Sequence, residues 1–211
     1  MSESKFDFKK EYKDLYQPKG GPSRIMVPPM QFIMVDGQGA PAGAAYQQAV
    51  EALYALSFTI KMSKLGPGRP AGYFDYVVPP LEGLWWSCGR GLDDGEPKEN
   101  WFWTSMIRQP AFVTPAVFQW ALEECRRKKP QVKLEGARLE TLEEGLCVQM
   151  MHIGPYDGER ETIRQMEAYM EQQGLRSAVG VQRKHHEIYL GDPRRTAPEK
   201  LRTVLRLPVE E

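Results

Sequence analysis

The feature that most constrains the fold of this chain is an internal repeat. The order strand, helix, strand, strand is predicted twice along its 211 residues. Two such βαββ modules around a pseudo-twofold axis predict an α+β fold with a central ligand groove, because grooves between repeats commonly hold ligands. Short sequences also match at equivalent places: 34–37 (MVDG) with 151–154 (MHIG), 82–84 (EGL) with 187–189 (EIY), and 108–110 (RQP) with 206–208 (RLP).

The repeat divides the chain into expected segments. Residues 1–29, which are charged and then rich in proline and glycine, are expected to form an arm on the surface of the fold. The first module spans 30–110, a segment with a linking helix spans 111–145, and the second module spans 146–211. Strands are predicted near 30–36, 73–86, 101–107, 146–153, 185–190 and 201–207, and helices over 42–64, over 114–129 and after 154 with Asp157 as N-cap.

Charge and cysteine content exclude several classes of partner. The chain has 28 basic and 28 acidic residues, and zero net charge argues against binding to nucleic acid or to an anionic membrane. No apolar run approaches the roughly 18 residues of a membrane span, and the N-terminus has no apolar signal region. Three cysteines without CxxC spacing fit a reducing compartment. The sequence therefore predicts a cytoplasmic protein. Two paired modules predict a self-contained monomer, with a dimer through a strand edge as the alternative.

The second module carries the candidate reactive group. Alternate residues of a strand point to one face, so His185, Glu187 and Tyr189 are predicted to point together, with His185 and Tyr189 as candidate ligand contacts. A carboxylate among aromatic rings loses hydration, and it can attract a cation or take a proton from water. The alternative is a structural ion pair with an arginine such as Arg206. The corresponding acid of the first module, Glu82, is expected to approach the same axis and contact the ligand.

Aromatic side chains are concentrated in the second half of the first module. Trp85 and Trp86 are adjacent and must face opposite sides of a strand; Trp86 is the preferred ligand contact because it shares a face with Glu82. Trp101 and Trp103 share one face and are also candidate contacts. Stacking and cation–π contacts on such rings contribute about 0.5–2 kcal/mol each. The alternative is that all these rings belong to the core.

Metal and cofactor chemistry lack a supporting motif. His185 and His186 diverge because they are neighbours on a strand, and neither they nor His152 belong to an HxxxH motif or accompany a cysteine pair. The chain has no P-loop, dinucleotide fingerprint or GxSxG motif. We therefore expect neither a bound metal nor a cofactor.

Several longer motifs resemble one known family. The most specific are YVVPPLEGLWW at 76–86 and HHEIYLGDPRRTAPEKLRT at 185–203, with FKKEYKDLY at 8–16, VPPMQFIMVDGQG at 27–39 and HIGPY at 152–156 in support. In these motifs the chain resembles the GyrI-like small-molecule-binding family, which is related to the effector-binding domains of multidrug-sensing regulators. The resemblance implies a pair of βαββ modules, and planar, often cationic aromatic compounds as binding partners.

The resemblance also implies roles for individual residues. Glu187 in HHEIYL corresponds to the buried acid of the family, and Tyr76 of the YVVPPLEGLWW motif corresponds to its implicated tyrosine. Tyr156 of HIGPY joins the candidate ligand contacts. Stand-alone members with the YVVPPLEGLWW motif are associated with cofactor-independent hydrolysis of cyclopropane-bearing, DNA-alkylating antibiotics.

Three functions are therefore open at this point. A hydrolase would use Glu187 as general base for attack of water on the strained ring, and Tyr76 would hydrogen-bond the developing oxyanion. A binding module would sequester cationic aromatics, with Glu187 as counter-ion only. A role as a topoisomerase inhibitor would need an acidic face that resembles DNA, and the neutral composition does not favour one. The first two functions need the same pocket, so the sequence does not separate them.

Overall fold

A computed structural model describes residues 5–65, 69–87, 97–180 and 182–211. The helices are α1 (Phe8–Glu11), α2 (Lys13–Tyr16), α3 (Ala44–Met62), α4 (Pro115–Lys128) and α5 (Glu159–Gln172). The strands are β1 (Ser23–Val27), β2 (Met30–Gln38), β3 (Leu81–Trp86), β4 (Phe102–Arg108), β5 (Arg138–Leu142), β6 (Gly145–Ile153), β7 (Arg176–Ser177), β8 (His185–Tyr189) and β9 (Arg202–Glu210).

The strands confirm the predicted pair of modules. They form one antiparallel sheet in the order β1-β6-β9-β8-β3-β4-β2-β5, and β7 pairs with β9 off this path. The second module contributes β6-β9-β8, and the first contributes β3-β4-β2 in the mirrored order, so the modules meet where β8 pairs with β3. The symmetry extends to the outer strands: β1 precedes the first module but pairs with β6, and β5 precedes the second module but pairs with β2.

The second predicted strand is shorter than expected. Residues 73–78 are irregular except for one bridge between Tyr76 and Phe6, and strand pairing begins only at Leu81. Pro79 and Pro80 explain the difference, because proline lacks the N–H donor that a ladder requires. The aromatic residues of 73–78 therefore pack as a loop.

Five further elements were not predicted: α1, α2, β1, β5 and β7. β1 lies within residues 1–29, and β5 lies within the linking segment 111–145. Both are short strands whose partners belong to the other module, so their pairing depends on contacts that are distant in sequence. α5 also starts differently: Gly158 occupies its N-cap position, and Asp157 lies in the preceding short turn.

The strand register assigns each side chain to one of two faces. Gly83 pairs with Glu187 and Trp85 pairs with His185, so these residues share a face. α3 covers the first module on this side, where Tyr46 stacks on Trp85 with ring centroids 5.4 Å apart. α5 packs on β6 of the second module. We call this side of the sheet the helix face.

The other side of the sheet is covered by the N-terminal segment. Phe8, Leu15 and Tyr16 are buried there, and the Tyr16 hydroxyl donates a hydrogen bond to Glu82. Glu82 pairs with Ile188, one position away from the pairing of Gly83 with Glu187, so it points to this opposite side. We call this side the N-terminal face.

Membrane-spanning helices, metal-ligand clusters and cysteines can be compared with the sequence expectations. No helix in the ranges given above is long and apolar enough to cross a membrane. Within those same ranges, no group of three or more acidic, histidine or cysteine side chains could hold a metal ion. Cys125 and Cys147 are buried free thiols, and Cys88 lies outside the described residues.

Candidate functional site

Glu187 occupies the middle of the helix face. It lies on β8 at the junction of the two modules, and only 8% of its surface is exposed. Its Oε1 lies 3.1 Å from His185 Nε2, and its Oε2 accepts a hydrogen bond of 2.8 Å from the Tyr189 hydroxyl. The three alternate residues of β8 therefore share a face, as their spacing predicts, and the two flanking side chains hold both carboxylate oxygens.

Aromatic side chains from the first module surround this acid. Trp85 Nε1 donates a hydrogen bond of 2.8 Å to the Tyr189 hydroxyl. Tyr46 stacks on Trp85 and meets the ring of Trp103 edge-on, with centroids 5.1 Å apart. We call this group the central site. Its members are Tyr46, Trp85, Trp103, His185, Glu187 and Tyr189.

The absence of a side chain at Gly83 makes room for the central site. A Cβ atom at this position would lie 2.8 Å from Trp85 Nε1 and 3.1 Å from the Tyr189 hydroxyl. Gly83 is also the direct strand partner of Glu187. The glycine therefore lets an indole, a phenol and a carboxylate meet across the module junction.

Burial keeps the phenols of the site protonated. Loss of hydration raises the pKa of Tyr46 to about 12, with a further contribution from the charge of Glu187. Burial also raises the pKa of Tyr189 above its usual range, again with the charge of Glu187 as the next cause. Both hydroxyls therefore stay protonated at neutral pH, and that of Tyr189 donates to the Glu187 carboxylate.

A second acid, Glu159, lies at the start of α5 beside the central site. It is 9% exposed, and its Oε1 has no hydrogen-bond partner among the described residues. Burial, and then the charge of Glu187, raise its pKa well above the usual range of a carboxyl group. The sequence did not identify this residue, because a glutamate in the first turn of a helix is ordinarily a solvated partner of the helix dipole.

Two candidate ligand contacts border the central site. Tyr156, in the turn before α5, is 37% exposed, and its ring meets the ring of Tyr189 edge-on at 5.8 Å. Trp101 is partly buried and meets the ring of Trp85 at 6.0 Å. Both rings combine an accessible surface with a direct contact to the central site.

Glu82 and Trp86 lie on the N-terminal face, so the structure separates them from Glu187. Trp86 stacks on Phe102, with Lys184 Nζ 4.2 Å above its ring. The matched repeat positions suggested that both glutamates approach one site, but strand pairing places them one residue out of register. A shift of one residue reverses the face to which a side chain points. Trp85 therefore occupies the place that the sequence assigned to Trp86.

Tyr76 lies in an aromatic cluster under the N-terminal segment. It is 1% exposed, and its hydroxyl has no hydrogen-bond partner among the described residues. Lys61 Nζ lies 5.3 Å from the centre of its ring. None of its contacts within the described residues includes Glu187. The rings that it meets are Phe8, Tyr73, Phe74 and Phe112.

A buried charge cluster on the N-terminal face accounts for Arg206. The Arg206 Nη1 group donates a hydrogen bond of 2.8 Å to Glu144 Oε2. Glu144 Oε1 lies 2.9 Å from His186 Nδ1, and His186 Nε2 makes an ion-pair contact of 3.0 Å with Glu82 Oε2. Arg206 pairs with His186 across the strands and therefore points away from Glu187. The structural ion pair considered for Glu187 is thus formed by Glu144 instead.

The charges of this cluster stabilise one another. Burial alone would raise the pKa of Glu144, but the charges of His186 and Arg206 outweigh it and lower the pKa to about 2. Burial alone would lower the pKa of His186, because the cationic form loses hydration, but Glu144 and Glu82 raise it to about 9. Two carboxylates therefore face two cationic groups. Arg206 also donates a hydrogen bond to the backbone oxygen of Leu15, so the cluster holds the N-terminal segment in place.

Two βαββ modules with an acid and aromatic rings at their junction define a small-molecule-binding fold. The GyrI-like small molecule binding domain matches residues 22–210, which is most of the chain. The chain belongs to this family. None of the curated proteins compared with the chain matches it.

Several solved structures are similar to this chain in sequence or in fold. Two crystal structures described as a hydrolase from Listeria innocua are each 54% identical to this chain, with TM-scores of 0.90 and 0.91, and cover 98% of it and 100% of their own chains. An uncharacterized conserved protein from Listeria innocua is 55% identical, with a TM-score of 0.93 and the same coverage. The EcmrR C-terminal domain is 11% identical, with a TM-score of 0.51 over 90% of this chain and 97% of its own, and shares the fold alone.

Proposed function

We propose that this protein hydrolyses electrophilic cyclopropanes that are conjugated to a planar aromatic system, with Glu187 as the general base. The observation that carries the proposal is the buried Glu187 carboxylate, held at both oxygens by His185 and Tyr189. A base fixed in this way is oriented before the substrate arrives, which is what proton abstraction from a bound water needs. The resemblance to the cyclopropane-hydrolysing members of the family and the two Listeria innocua relatives described as a hydrolase support hydrolytic chemistry.

The proposed reaction is a single displacement. A water molecule attacks the less hindered ring carbon of the cyclopropane while Glu187 accepts its proton. The carbon–carbon bond of the ring breaks, and its electron pair moves through the conjugated system to the carbonyl oxygen. Protonation of that oxygen gives a phenol or enol, and the attacked carbon becomes an alcohol. Ring strain and the gain of conjugation drive the step, so a cofactor is not needed.

The aromatic rings supply binding energy for a planar substrate. Trp101 and Tyr156 offer accessible ring surface beside the central site, and Trp85 and Tyr46 lie behind them. Stacking on each ring contributes about 0.5–1.5 kcal/mol beyond the area that it buries. Tyr76 does not stabilise the oxyanion in this reaction, because the phenol that contacts Glu187 is Tyr189.

The proposal is tested by following the oxygen atom of water. The purified protein is incubated with a cyclopropane-bearing DNA alkylator in isotopically labelled water, and the products are analysed by mass spectrometry. We expect a ring-opened alcohol that carries the heavy oxygen, formed in proportion to protein concentration. Formation at the uncatalysed rate only would contradict the hydrolase proposal.

The second candidate function is binding of cationic aromatics without turnover. The observation that favours it is the same buried carboxylate beside aromatic rings, because such a site also attracts a planar cation. In this case the alkylator stays intact, and replacing Glu187 weakens cationic ligands while neutral ones bind as before.

A further inference from the structure

Glu159 is a buried acid to which the proposed mechanism so far assigns no role. The residue is only 9% exposed, yet Oε1 finds no hydrogen-bond partner among the described residues. An unpartnered carboxyl oxygen in such a place is costly, since a buried polar group without a partner loses about 1–3 kcal/mol of hydration. In native proteins such a group is explained by an ordered water, an ion, local strain or a catalytic role.

The start of α5 lies beside the central site. The turn that precedes Glu159 contains Tyr156, whose ring contacts Tyr189, the residue that donates to Glu187. His152 anchors this turn, because its Nε2 lies 3.0 Å from the backbone oxygen of Pro155. Glu159 therefore follows directly on the turn that contacts the central site, and it lies near enough for the charge of Glu187 to act on it.

The two acids also differ in their surroundings. Glu187 has a hydrogen-bonding partner at each oxygen, whereas Glu159 has a buried oxygen with none. The other ionisable groups that act on Glu159 are Lys98 and Asp157, whose exposed side chains form an ion pair of 3.2 Å with each other. A pair of carboxyl groups with different environments is the usual way in which one site provides both an acid and a base.

We propose that Glu159 is the proton donor of this site, and that it binds and protonates the carbonyl oxygen of a planar conjugated substrate. The inference rests on the proposed hydrolysis and completes it. Glu159 starts neutral and Glu187 starts charged. As the ring opens, Glu187 takes the proton of the attacking water and Glu159 gives its proton to the carbonyl oxygen. Proton exchange with solvent then restores both acids, so atoms and charge balance over the cycle.

A proton donor at Glu159 affects which planar ligands the site prefers. A neutral carboxyl group donates a hydrogen bond, so the site prefers a planar compound with a carbonyl oxygen over a planar hydrocarbon of the same size. The loss of one hydrogen bond of this kind changes affinity about fivefold to tenfold. Acridone and anthracene form a suitable pair of probes, because both are planar tricycles and only acridone carries a carbonyl group.

The turnover test uses Glu159→Gln, which keeps the size and a hydrogen-bond donor but has no acidic proton. We expect its kcat to fall by about 10²-fold or more, the range of a general acid. In the wild-type protein kcat falls at alkaline pH as Glu159 loses its proton, and the variant lacks this fall. Glu161→Gln, at an exposed position on the same helix, is the matched control and keeps the wild-type profile. Unchanged kcat in Glu159→Gln, or an unchanged alkaline fall, would overturn the inference.

A binding test separates this inference from the proposed hydrolysis. Carboxyl resonances of carbon-labelled glutamate are recorded with acridone and with anthracene, and Glu159 is assigned by its loss in Glu159→Gln. We expect acridone, but not anthracene, to shift the Glu159 resonance. If this shift occurs without turnover of any cyclopropane, the hydrolysis fails and Glu159 remains a donor to ligand carbonyls. If turnover occurs but acridone leaves Glu159 unshifted, the inference about Glu159 fails alone.

Discussion

Trp85 in the first module donates a hydrogen bond of 2.8 Å to the hydroxyl of Tyr189 in the second. The same hydroxyl donates to Glu187, also at 2.8 Å. The orientation of the acid therefore depends on residues from both modules. In this duplicated fold, a side chain at the junction is therefore positioned by both copies.

Tyr189→Phe tests this relay. The substitution keeps the ring but removes the donor to Glu187, so the carboxylate loses one of its two positioning contacts. One hydrogen bond to a charged group contributes roughly 1.5–3 kcal/mol, and we expect turnover to fall by at least tenfold while neutral planar ligands bind unchanged. Tyr169→Phe, a partly buried tyrosine on α5, is the control. Wild-type turnover in Tyr189→Phe would show that the relay does not position the base.

Gly83→Ala tests the space at the module junction. The new methyl group would lie within 2.8 Å of Trp85 Nε1, closer than two such atoms can approach, and the indole is too large to move freely. We expect the Trp85–Tyr189 hydrogen bond to break and both turnover and ligand affinity to fall. The change is followed by the near-ultraviolet circular dichroism of the tryptophans. Gly21→Ala, where a Cβ meets no atom within 4 Å, serves as control, and equal behaviour of both variants would refute the packing argument.

Which residues share the site was only partly predictable from the sequence. The alternation of a single strand was enough to group His185, Glu187 and Tyr189. It was not enough to pair Glu82 with the correct residue of β8, because the register between two strands is set by side chains that face both sides of the sheet. Similarity between the repeats aligned the two glutamates, and the register separated them onto opposite faces.

The buried charge cluster on the N-terminal face predicts how stability depends on pH. The pKa of His186 is raised from 6.5 to about 9, so its contribution is complete below about pH 6.5 and is lost as pH rises through about 9. The pKa of Glu144 is lowered from 4.5 to about 2, so its contribution is complete above about pH 4.5 and is lost as pH falls towards 2. Urea unfolding across pH should therefore show the highest free energy of unfolding between these limits.

The control for this pH dependence is His186→Gln. Below about pH 9 the variant should be less stable than the wild-type protein, because Glu144 and Glu82 lose a cationic neighbour, and its stability should no longer fall between about pH 6.5 and 9. A wild-type protein whose stability stays level over that interval would contradict the assignment of a charged His186.

Arg206→Met tests how the cluster holds the N-terminal segment. The change leaves Glu144 with one cationic partner fewer and removes the donor to the backbone oxygen of Leu15. Breaking a buried ion pair on one side destabilises by about 3–5 kcal/mol. We expect a loss of this size in urea unfolding, together with faster hydrogen exchange around Leu15. Arg24→Met, at an exposed ion pair with Glu211, should change stability by less than about 1 kcal/mol, and a similar loss in both variants would argue against a special role of the cluster.

The parts of the structure that the sequence missed depend on distant contacts. β1 and β5 are short strands that each pair with the other module, so no local pattern marks them. Glu159 has the sequence position of an ordinary helix-start acid, but in the folded chain it is buried behind a turn whose Tyr156 ring contacts Tyr189. Local periodicity identifies the central strands and helices, whereas such burial is a property of the assembled fold.

The most direct test of the account is a comparison of the wild-type protein with Glu187→Gln. Glutamine keeps the size of the side chain but removes the base and its charge, and Glu199→Gln at an exposed position is the matched control. Release of the ring-opened alcohol from a cyclopropane-bearing alkylator is measured under single-turnover conditions, together with the affinity for acridone. The account predicts a rate lower by about 10²–10⁴-fold in Glu187→Gln, with acridone affinity and the Glu199→Gln rate unchanged. A Glu187→Gln protein that opens the ring at the wild-type rate would contradict the assignment of Glu187 as the base.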